Sequence, residues 1–174
     1  MLFRSFGSPG IGTTGHLGLA MLMHAADLKI THVPYRGAAP AVTDLIAGQI
    51  DGVVDNPPTV LPHIESGKLR PLAVAAKTRM ALLPELPTAA EQGVANYEAS
   101  SWFGIVAPAG TPPAIVERLH KAVAEGVRTP AMGERFSKSG ARLIGDTPQQ
   151  FGARIRAERV TWGEIIKAAN ITPQ

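Results

Sequence analysis

Short β-branched runs alternate with longer stretches of helical periodicity along the first hundred residues. Residues 17–26 are apolar or small apart from His24, which predicts a helix, and the β-branched run at 30–34 predicts a strand. A second helix with Pro40 in its first turn follows and ends near Gly48. Strands separated by short helices are typical of parallel βαβ units, so we predict an α/β fold.

The alternation continues with predicted strands at 50–55 and 69–76, and a short helix at 59–65 lies between them. In parallel α/β sheets, ligands bind beyond the carboxyl ends of the strands. Tyr35 follows the preceding strand, and Asp55 ends the one at 50–55. We therefore expect both side chains at the ligand-binding edge of the sheet.

The pattern changes near Ser100, where we place a domain boundary between residues 1–100 and 101–174. The second part offers an apolar strand at 101–108 and a short strand at 141–144. It also offers three amphipathic helices that open on threonine-proline pairs: Thr111-Pro112, Thr129-Pro130 and Thr147-Pro148. Two strands give three helices little sheet to cover. Either this part docks on the first sheet, or the chain lacks strands that a longer version would supply.

A glycine-rich stretch precedes the first helix and is the strongest candidate for a functional site. Its four glycines allow positive φ and a close approach to a ligand: Gly7, Gly10, Gly12 and Gly15. Thr13 and Thr14 follow as candidate N-caps. The first free N–H groups of the helix can then hold a carboxylate or phosphate without any catalytic group. The alternative is a tight connection that binds nothing, because glycine-rich turns are weak motifs on their own.

The composition indicates a globular protein, with 45% hydrophobic residues in a chain of 174. There is no cysteine, which excludes disulfides and thiolate chemistry. The formal net charge is +3, with seven Lys and Arg against eight Asp and Glu in residues 1–100 and ten against six in residues 101–174. The basic residues are interleaved with acidic ones, so we predict no nucleic-acid partner.

The sequence contains no segment that reads as a membrane anchor. No apolar run reaches the roughly 18 residues that a membrane span requires. Polar and glycine residues at 8–16 interrupt the apolar stretch that follows Arg4, and they break the hydrophobic region of a signal peptide. We therefore predict a chain without an export signal as written.

Motifs of the common nucleotide-dependent and hydrolytic enzymes are absent from the sequence. It contains no GxSxG elbow and no Walker lysine, and GSPGIG does not fit the GxGxxG spacing of dinucleotide-binding loops. His24, His32 and His63 lie on separate predicted elements, which argues against a metal site. We therefore predict a binding protein rather than an enzyme, with no catalytic residues, no metal and no cofactor.

Four linked motifs carry a resemblance to a known family: GSPGIGTTGHL, HVPYRGAAPAVTDLIAGQID, LPHIESGKLRPLAV and WFGIVAPAGTPPAIVERL. In this order they resemble the tripartite tricarboxylate transporter solute receptors, also called the Bug family of periplasmic binding proteins, from residue 6 to residue 171. The resemblance implies a periplasmic-binding-protein-like (type II) fold of two α/β domains joined by a hinge. Residues 1–100 then correspond to the second, ligand-binding domain, and residues 101–174 to the returning part of an incomplete first domain. The opening segment, with the export signal and a ligand loop, is absent.

The same resemblance implies a function and a set of contact residues. Family members capture a small mono-, di- or tricarboxylate and deliver it to the membrane components of the transporter, so it implies a periplasmic location. The implied ligand-binding residues are those that match the second-domain wall of the family: Gly12, Thr13, Thr14, His16, Tyr35, Arg36, Asp55 and Ser101.

Each charged or ionisable candidate also has a structural interpretation. His16 lies in the first helical turn, where a histidine is often a surface or capping residue. Arg36 can fork onto a carboxylate or can be a solvated turn residue. Asp55 can receive a ligand amine or water, or it can cap the helix after Pro57.

Two other function classes stay open at this point. The chain could be an enzyme with an anion-binding helix end, and turnover of a small ester would support that class. It could also be a non-binding relic or interaction module. In that case exposed sheet edges and apolar helix faces drive self-association, which a concentration-dependent mass would reveal.

Overall fold

The computed structural model of the protein describes residues 4–172. In chain order, its elements are β1 (Arg4–Ser8), α1 (Thr14–Ala25), β2 (Ile30–Pro34), α2 (Ala38–Ile46), β3 (Gly52–Val53), α3 (Pro57–Glu65), α4 (Pro113–Gly126), α5 (Pro130–Ser137) and α6 (Pro148–Ala168). Among these, no helix combines the length and apolar character that crossing a bilayer demands.

The three strands form a parallel sheet in the order β2-β1-β3. β1 pairs with β2 over its whole length, from Arg4 opposite Ile30 to Ser8 opposite Pro34, and with β3 near Gly52 and Val53. The predicted parallel βαβ arrangement is confirmed, and strand 30–34 is found with the expected bounds.

The central strand β1 was missed by the sequence analysis, which assigned Gly7 to a glycine-rich turn. Its sequence RSFGS has no apolar alternation, so nothing in the pattern marks it as a strand. The strand is held instead by hydrogen-bonded neighbours on both edges. Gly7 lets neighbouring side chains pack closely against the strand, because a Cβ there would lie 2.6 Å from Cδ1 of Ile50 and 3.1 Å from Cε2 of Tyr35.

The buried core of the sheet region comes mainly from the first half of α1, which is buried on all sides from Gly15 to Met21, and from α2. Leu19 is 1% exposed, and Ala41 and Val42 of α2 are as fully buried. A second buried cluster unites Met21 of α1 with Tyr97. The predicted helix at 17–26 is therefore confirmed in its core, with its first turn three residues earlier than the apolar pattern indicates.

Three predicted strands are wrong. Among residues 4–172, the runs at 69–76, 101–108 and 141–144 form no strand, and Val74 makes only a single bridge with Thr88. In the run at 101–108, Phe103 is 93% exposed. An apolar run becomes a strand only when another backbone pairs with it, and these runs find no neighbouring strand. The strand predicted at 50–55 is found but shortened to Gly52–Val53.

The chain divides into two compact units. One contains the described residues up to Ser101 together with those from Trp162 onward, and the other contains Trp102–Thr161. The last turns of α6 thus belong with the sheet. The assignment of residues 1–100 and 101–174 to two domains of a receptor stays a prediction.

The unit Trp102–Thr161 is built from helices without a strand in the described chain. All three helices open near the predicted threonine-proline pairs, but the cap of α4 is Pro112, and Thr111 instead donates its hydroxyl to the carbonyl of Pro108 at 2.8 Å. α6 opens on a reciprocal capping box, in which Thr147 and Gln150 exchange side-chain and backbone hydrogen bonds of 2.9 and 3.2 Å.

Candidate functional site

The loop from β1 to α1, residues 9–13, is called the glycine loop here, and it is closed by Thr13, which is the N-cap of α1. Its Oγ1 accepts the N–H of His16 at 3.4 Å and donates to the carbonyl oxygen of Gly10 at 2.7 Å. The residue has the extended backbone typical of an N-cap, with φ −71° and ψ 161°. Thr13 is therefore confirmed as the cap, whereas Thr14 is the first residue of the helix.

The first turn of α1 leaves two amide groups without an acceptor. The N–H of Leu17 donates to the carbonyl of Thr13 at 2.9 Å, and the N–H of His16 is capped. Within residues 4–172, no hydrogen bond is formed by the N–H groups of Thr14 and Gly15. Unpaired amides at the positive end of a helix dipole attract anions. The arrangement suits an oxygen of a carboxylate or phosphate.

Gly12 has the positive φ that the sequence predicts, and it also makes a contact that the sequence did not indicate. Its N–H points inward and donates to Nδ1 of His16 at 3.1 Å. The residue has φ +76° and is exposed, and a Cβ there would meet no atom within 4 Å. Positive φ rather than close packing is what favours glycine at this position.

His16 and His32 form a stacked pair beneath the loop. Their ring centroids are 3.9 Å apart, and the ring planes differ by 7°. Nε2 of His32 is 2.7 Å from Oγ of Ser8, a fully buried side chain at the end of β1. Burial lowers the pKa of His16, and burial together with the neighbouring His16 lowers the pKa of His32 to about 4. Both rings are therefore neutral at pH 7.

The contact between Ser8 and His32 was not found by sequence reasoning, which weighed His32 only as a metal ligand. The two residues are 24 positions apart and meet because β1 and β2 pair in parallel register. The contact could have been predicted only if β1 had been recognised as a strand, because its register with β2 determines which β2 residue lies beside the glycine loop. Within the described residues, no group of three or more His, Cys, Asp or Glu is arranged to hold a metal ion.

The turn at 35–37 is tied to the same loop by backbone hydrogen bonds. The N–H of Tyr35 donates to the carbonyl of Ser8, and the N–H of Gly37 donates to that of Pro9, both at 3.0 Å. The phenol of Tyr35 donates to Oδ2 of Asp44 at 2.8 Å. Partial burial and this carboxylate raise the pKa of Tyr35. Tyr35 thus fixes the turn through Asp44. The turn at 35–37 and the glycine loop, which the sequence analysis both named as candidates, lie side by side.

Arg36 and Asp55 differ sharply in environment. Arg36 is exposed at the tip of the turn and forms no ion pair within the described chain. Asp55 is half-buried after β3, and burial raises its pKa. The hydrogen bond from the N–H of Asn56 to Oδ1, at 2.8 Å, opposes this shift but is the smaller effect. Asn56 rather than Asp55 is the N-cap residue of α3, so the capping role considered for Asp55 is wrong.

Ser101 lies at the end of the sheet-containing unit. Its Oγ is buried and has no hydrogen-bond partner in the described part of the chain. A buried hydroxyl without a partner is costly, and in native proteins it usually has an explanation such as a water or a ligand. The place of Ser101 among the ligand contacts stays a prediction.

Residues 4–171 match the family model described as the tripartite tricarboxylate transporter family receptor. The chain belongs to this receptor family. Because the family consists of transporter receptors, the enzyme and relic alternatives are not favoured.

Two curated relatives illustrate the match. BugT of Bordetella pertussis is 34% identical over 163 residues, which are 94% of this chain and 50% of that protein. A protein of Pseudomonas knackmussii, described as a UPF0065 protein in the clcB-clcD intergenic region, is 36% identical over 158 residues, 90% of this chain and 94% of that protein. The receptor chain therefore spans about half the length of BugT and nearly the whole length of the second relative.

Solved structures agree with the fold of this chain. A Rhodopseudomonas palustris protein, described as Rpa4515 with adipate, is 37% identical with a TM-score of 0.87 over 98% of this chain and 57% of that one. The periplasmic binding protein BugD is 34% identical with a TM-score of 0.84, covering 98% and 58%. MatC of the same Rhodopseudomonas species, with bound malate, is 27% identical with a TM-score of 0.79, covering 94% and 56%. The predicted periplasmic-binding-protein-like α/β fold is confirmed.

Proposed function

We propose that this chain carries the ligand-binding lobe of an extracytoplasmic receptor, which captures a small carboxylate for the membrane components of a tripartite tricarboxylate transporter. The observation that carries the proposal is the pair of unpaired amides of Thr14 and Gly15 at the start of α1. Two neighbouring N–H donors match the two oxygens of one carboxylate. The solved relatives that hold adipate and malate support this class of ligand.

In this proposal the loop residues divide into direct contacts and supports. Thr14 donates its amide and its hydroxyl to the ligand, and Arg36 reaches a second carboxylate from the neighbouring turn. Thr13, Gly12 and His16 are needed for the shape of the loop, because their polar groups already bind one another.

The other contacts are proposed with their own chemistry. Tyr35 fixes the turn through Asp44 and offers its ring edge to the ligand. Asp55 accepts a hydrogen bond from a hydroxyl or a bound water, since its carboxyl group is half-buried and keeps a free oxygen. Ser101 binds an ordered water or ligand atom, which satisfies its buried hydroxyl.

We also propose the wider setting of the receptor. Residues 1–100 form one lobe and residues 101–174 the returning part of a second. The location is periplasmic, as the description of BugD indicates for that relative. The exposed apolar run near Phe103 leaves this chain prone to self-association.

A thermal-shift panel tests carboxylate capture. Adipate, malate and citrate are compared with adipamide, which has the shape of adipate but no charge. At a ligand concentration ten times Kd, the stabilisation is about 1.4 kcal/mol, because only the folded state binds. That free energy corresponds to a rise in Tm of about 3–6 °C for a chain of this size. A panel in which no acid exceeds the diamide would contradict the proposal.

Replacement of one amide sharpens the test. Thr14→Pro deletes the N–H and hydroxyl at the first helical position, where proline is well tolerated, and the extended backbone of Thr13 suits a residue before proline. We expect the ligand-free Tm to be preserved and the acid-induced shift to be lost. Thr14→Val, which keeps the amide, is the matched control and retains part of the shift. An equal shift in both variants would exclude the amide as a contact.

A further inference from the structure

We propose that His16 is a positioning residue that holds the glycine loop by accepting the Gly12 N–H, and that protonation of its ring releases the loop. The inference rests on the proposed function, because it adds a pH-dependent control to the same carboxylate site.

The hydrogen bond fixes the protonation state of the ring. Nδ1 of His16 lies 3.1 Å from the N–H of Gly12, so it must carry a lone pair. The proton of the neutral ring is therefore on Nε2. An imidazolium carries N–H groups on both nitrogens, and two donors would then face each other. Protonation of His16 at Nδ1 thus breaks the contact.

Gly12 has little else to hold it. Within residues 4–172, the bond to His16 is the hydrogen bond that its amide makes, and no atom would contact a Cβ at this exposed position. Gly10, two residues earlier, is also a glycine with positive φ, at +147°, so the backbone between them is permissive. The loop carries the unpaired amides at its end, so loss of this bond changes the site directly.

The stack with His32 opposes a charge on His16. The two rings are parallel and 3.9 Å apart, which buries one face of each. His32 can keep its contact with Ser8 in either charge state, because Nε2–H of the charged ring can donate to the serine oxygen. His16 is therefore the member of the pair whose protonation costs the loop a hydrogen bond.

Among the described residues that line the space beside the pair, none carries a carboxylate that could stabilise a charge. A cavity of about 310 Å³ adjoins both rings, and its ionisable lining residues are His24 of α1 and His32 of β2. The end of α6 contributes aliphatic side chains, such as Ile165 and Ile171, and the glycine loop contributes no ionisable group. The cavity gives solvent protons a path to the rings, and burial lowers both pKa values.

The ligand-free protein tests the inference without any assumption about binding. Nitrogen-15 NMR follows the ring of His16 and the amide of Gly12 from about pH 7.5 to about pH 4.5. At neutral pH we expect an unprotonated Nδ1 and a Gly12 amide protected from exchange. Both signals should change together on acidification. Protection of Gly12 that persists after His16 has titrated would overturn the proposal.

Variants of His16 distinguish a pH-dependent positioning role from a purely structural role of the side chain. His16→Asn places a side-chain oxygen near the position of Nδ1 but does not titrate, so Gly12 stays protected and its pH response disappears. His16→Leu removes the acceptor, so protection is lost at every pH. His63→Asn, on α3 and not among the residues that line the cavity, is the control and leaves the wild-type response unchanged. An identical pH response in wild type and His16→Asn would contradict the role of His16.

The affinity for adipate gives the functional arm. Adipate itself protonates in this range, so we expect the affinity of His16→Asn to fall only as far as that protonation requires, while the wild-type affinity falls by up to about tenfold more per pH unit below the pKa of His16. If no acid binds at any pH, the proposed function fails, and the NMR result still decides the role of His16. Stronger binding at acidic pH in wild type would overturn the inference, because the charged ring would then assist the ligand.

Discussion

Gly15 lies against the end of β3 so closely that a Cβ would stand 2.5 Å from the carbonyl oxygen of Val54 and 2.8 Å from Cδ of Pro9. This contact sets the first turn of α1 directly beside the strand end that leads to Asp55. A glycine at this position thus allows the unpaired amides of α1 to lie beside the end of β3.

We predict that Gly15→Ala destabilises the protein by about 1–3 kcal/mol, because the added methyl group must displace backbone or the ring of Pro9. Urea denaturation measures the loss. Gly133→Ala is the matched control, since Gly133 lies inside α5 with no atom near a Cβ. That control should gain about 0.5–1 kcal/mol from helix propensity. Equal effects in the two variants would show that the Val54 contact is not tight.

The histidine stack predicts a loss of stability in acid. The pKa of His32 falls from 6.5 to about 4 in the folded protein. Above pH 6.5 both folded and unfolded states are neutral at this ring. Between pH 6.5 and about 4 the unfolded chain binds the proton at this ring and the folded chain does not. The free energy of unfolding therefore decreases as the pH is lowered through this range. Below about 4 this contribution levels off.

Melting temperatures across that pH range measure the effect. His32→Phe keeps an aromatic ring against His16 and cannot titrate, so its Tm should fall less steeply than that of the wild type. The difference between the two curves removes the contribution of carboxylates that titrate in the same range. Parallel curves would mean that His32 takes up its proton in the folded state.

The two tyrosines of the chain should both ionise late. Burial raises the pKa of Tyr97 to about 12, and the pKa of Tyr35 is raised above 10 by partial burial and by Asp44. An ultraviolet titration of the folded protein should therefore show less phenolate at pH 10 than the protein unfolded in urea, which titrates as ordinary tyrosine. In Tyr35→Phe only the step near 12 remains. A full step at 10 in that variant would place Tyr97 in water.

We predict concentration-dependent association through the exposed run at 103–106. Phe103 is 93% exposed, Ile105 74% and Val106 78%, and no strand of the described chain pairs with this segment. Sedimentation velocity should show a rising mass with concentration, and Phe103→Lys with Ile105→Lys should reduce it. Leu72→Lys, at a residue 68% exposed in the sheet-containing unit, is the control and leaves association intact.

The sequence was sufficient to predict the elements whose own side-chain pattern is typical of a strand, a helix or a helix cap. The β-branched run at 30–34 and the apolar stretch of α1 have their expected types, because one pattern suits a pleated strand and the other a helix that is buried on all sides. The capping role of Thr13 follows from its residue type and its place before an apolar run.

Most of the features that the sequence did not predict depend on contacts between residues that are distant in the chain. β1 has no pattern of its own and exists because β2 and β3 flank it, whereas the run at 101–108 has the pattern of a strand and no flanking backbone. The contact of Ser8 with His32 depends on the register of β1 and β2, which no local pattern specifies. The hydrogen bond from Gly12 to His16 is local, but it requires the loop conformation to be known.

The strand order β2-β1-β3 has a consequence for biosynthesis. β1 precedes both of its neighbours in the chain, so a ribosome releases the central strand first, and its two edges stay open until residues 34 and then 53 have emerged. Parallel pairing requires a whole crossover helix before each edge can close. Of the three strands, the one that leads into α1 thus waits longest for its partners during synthesis, and the translation speed through α1 and α2 sets that time.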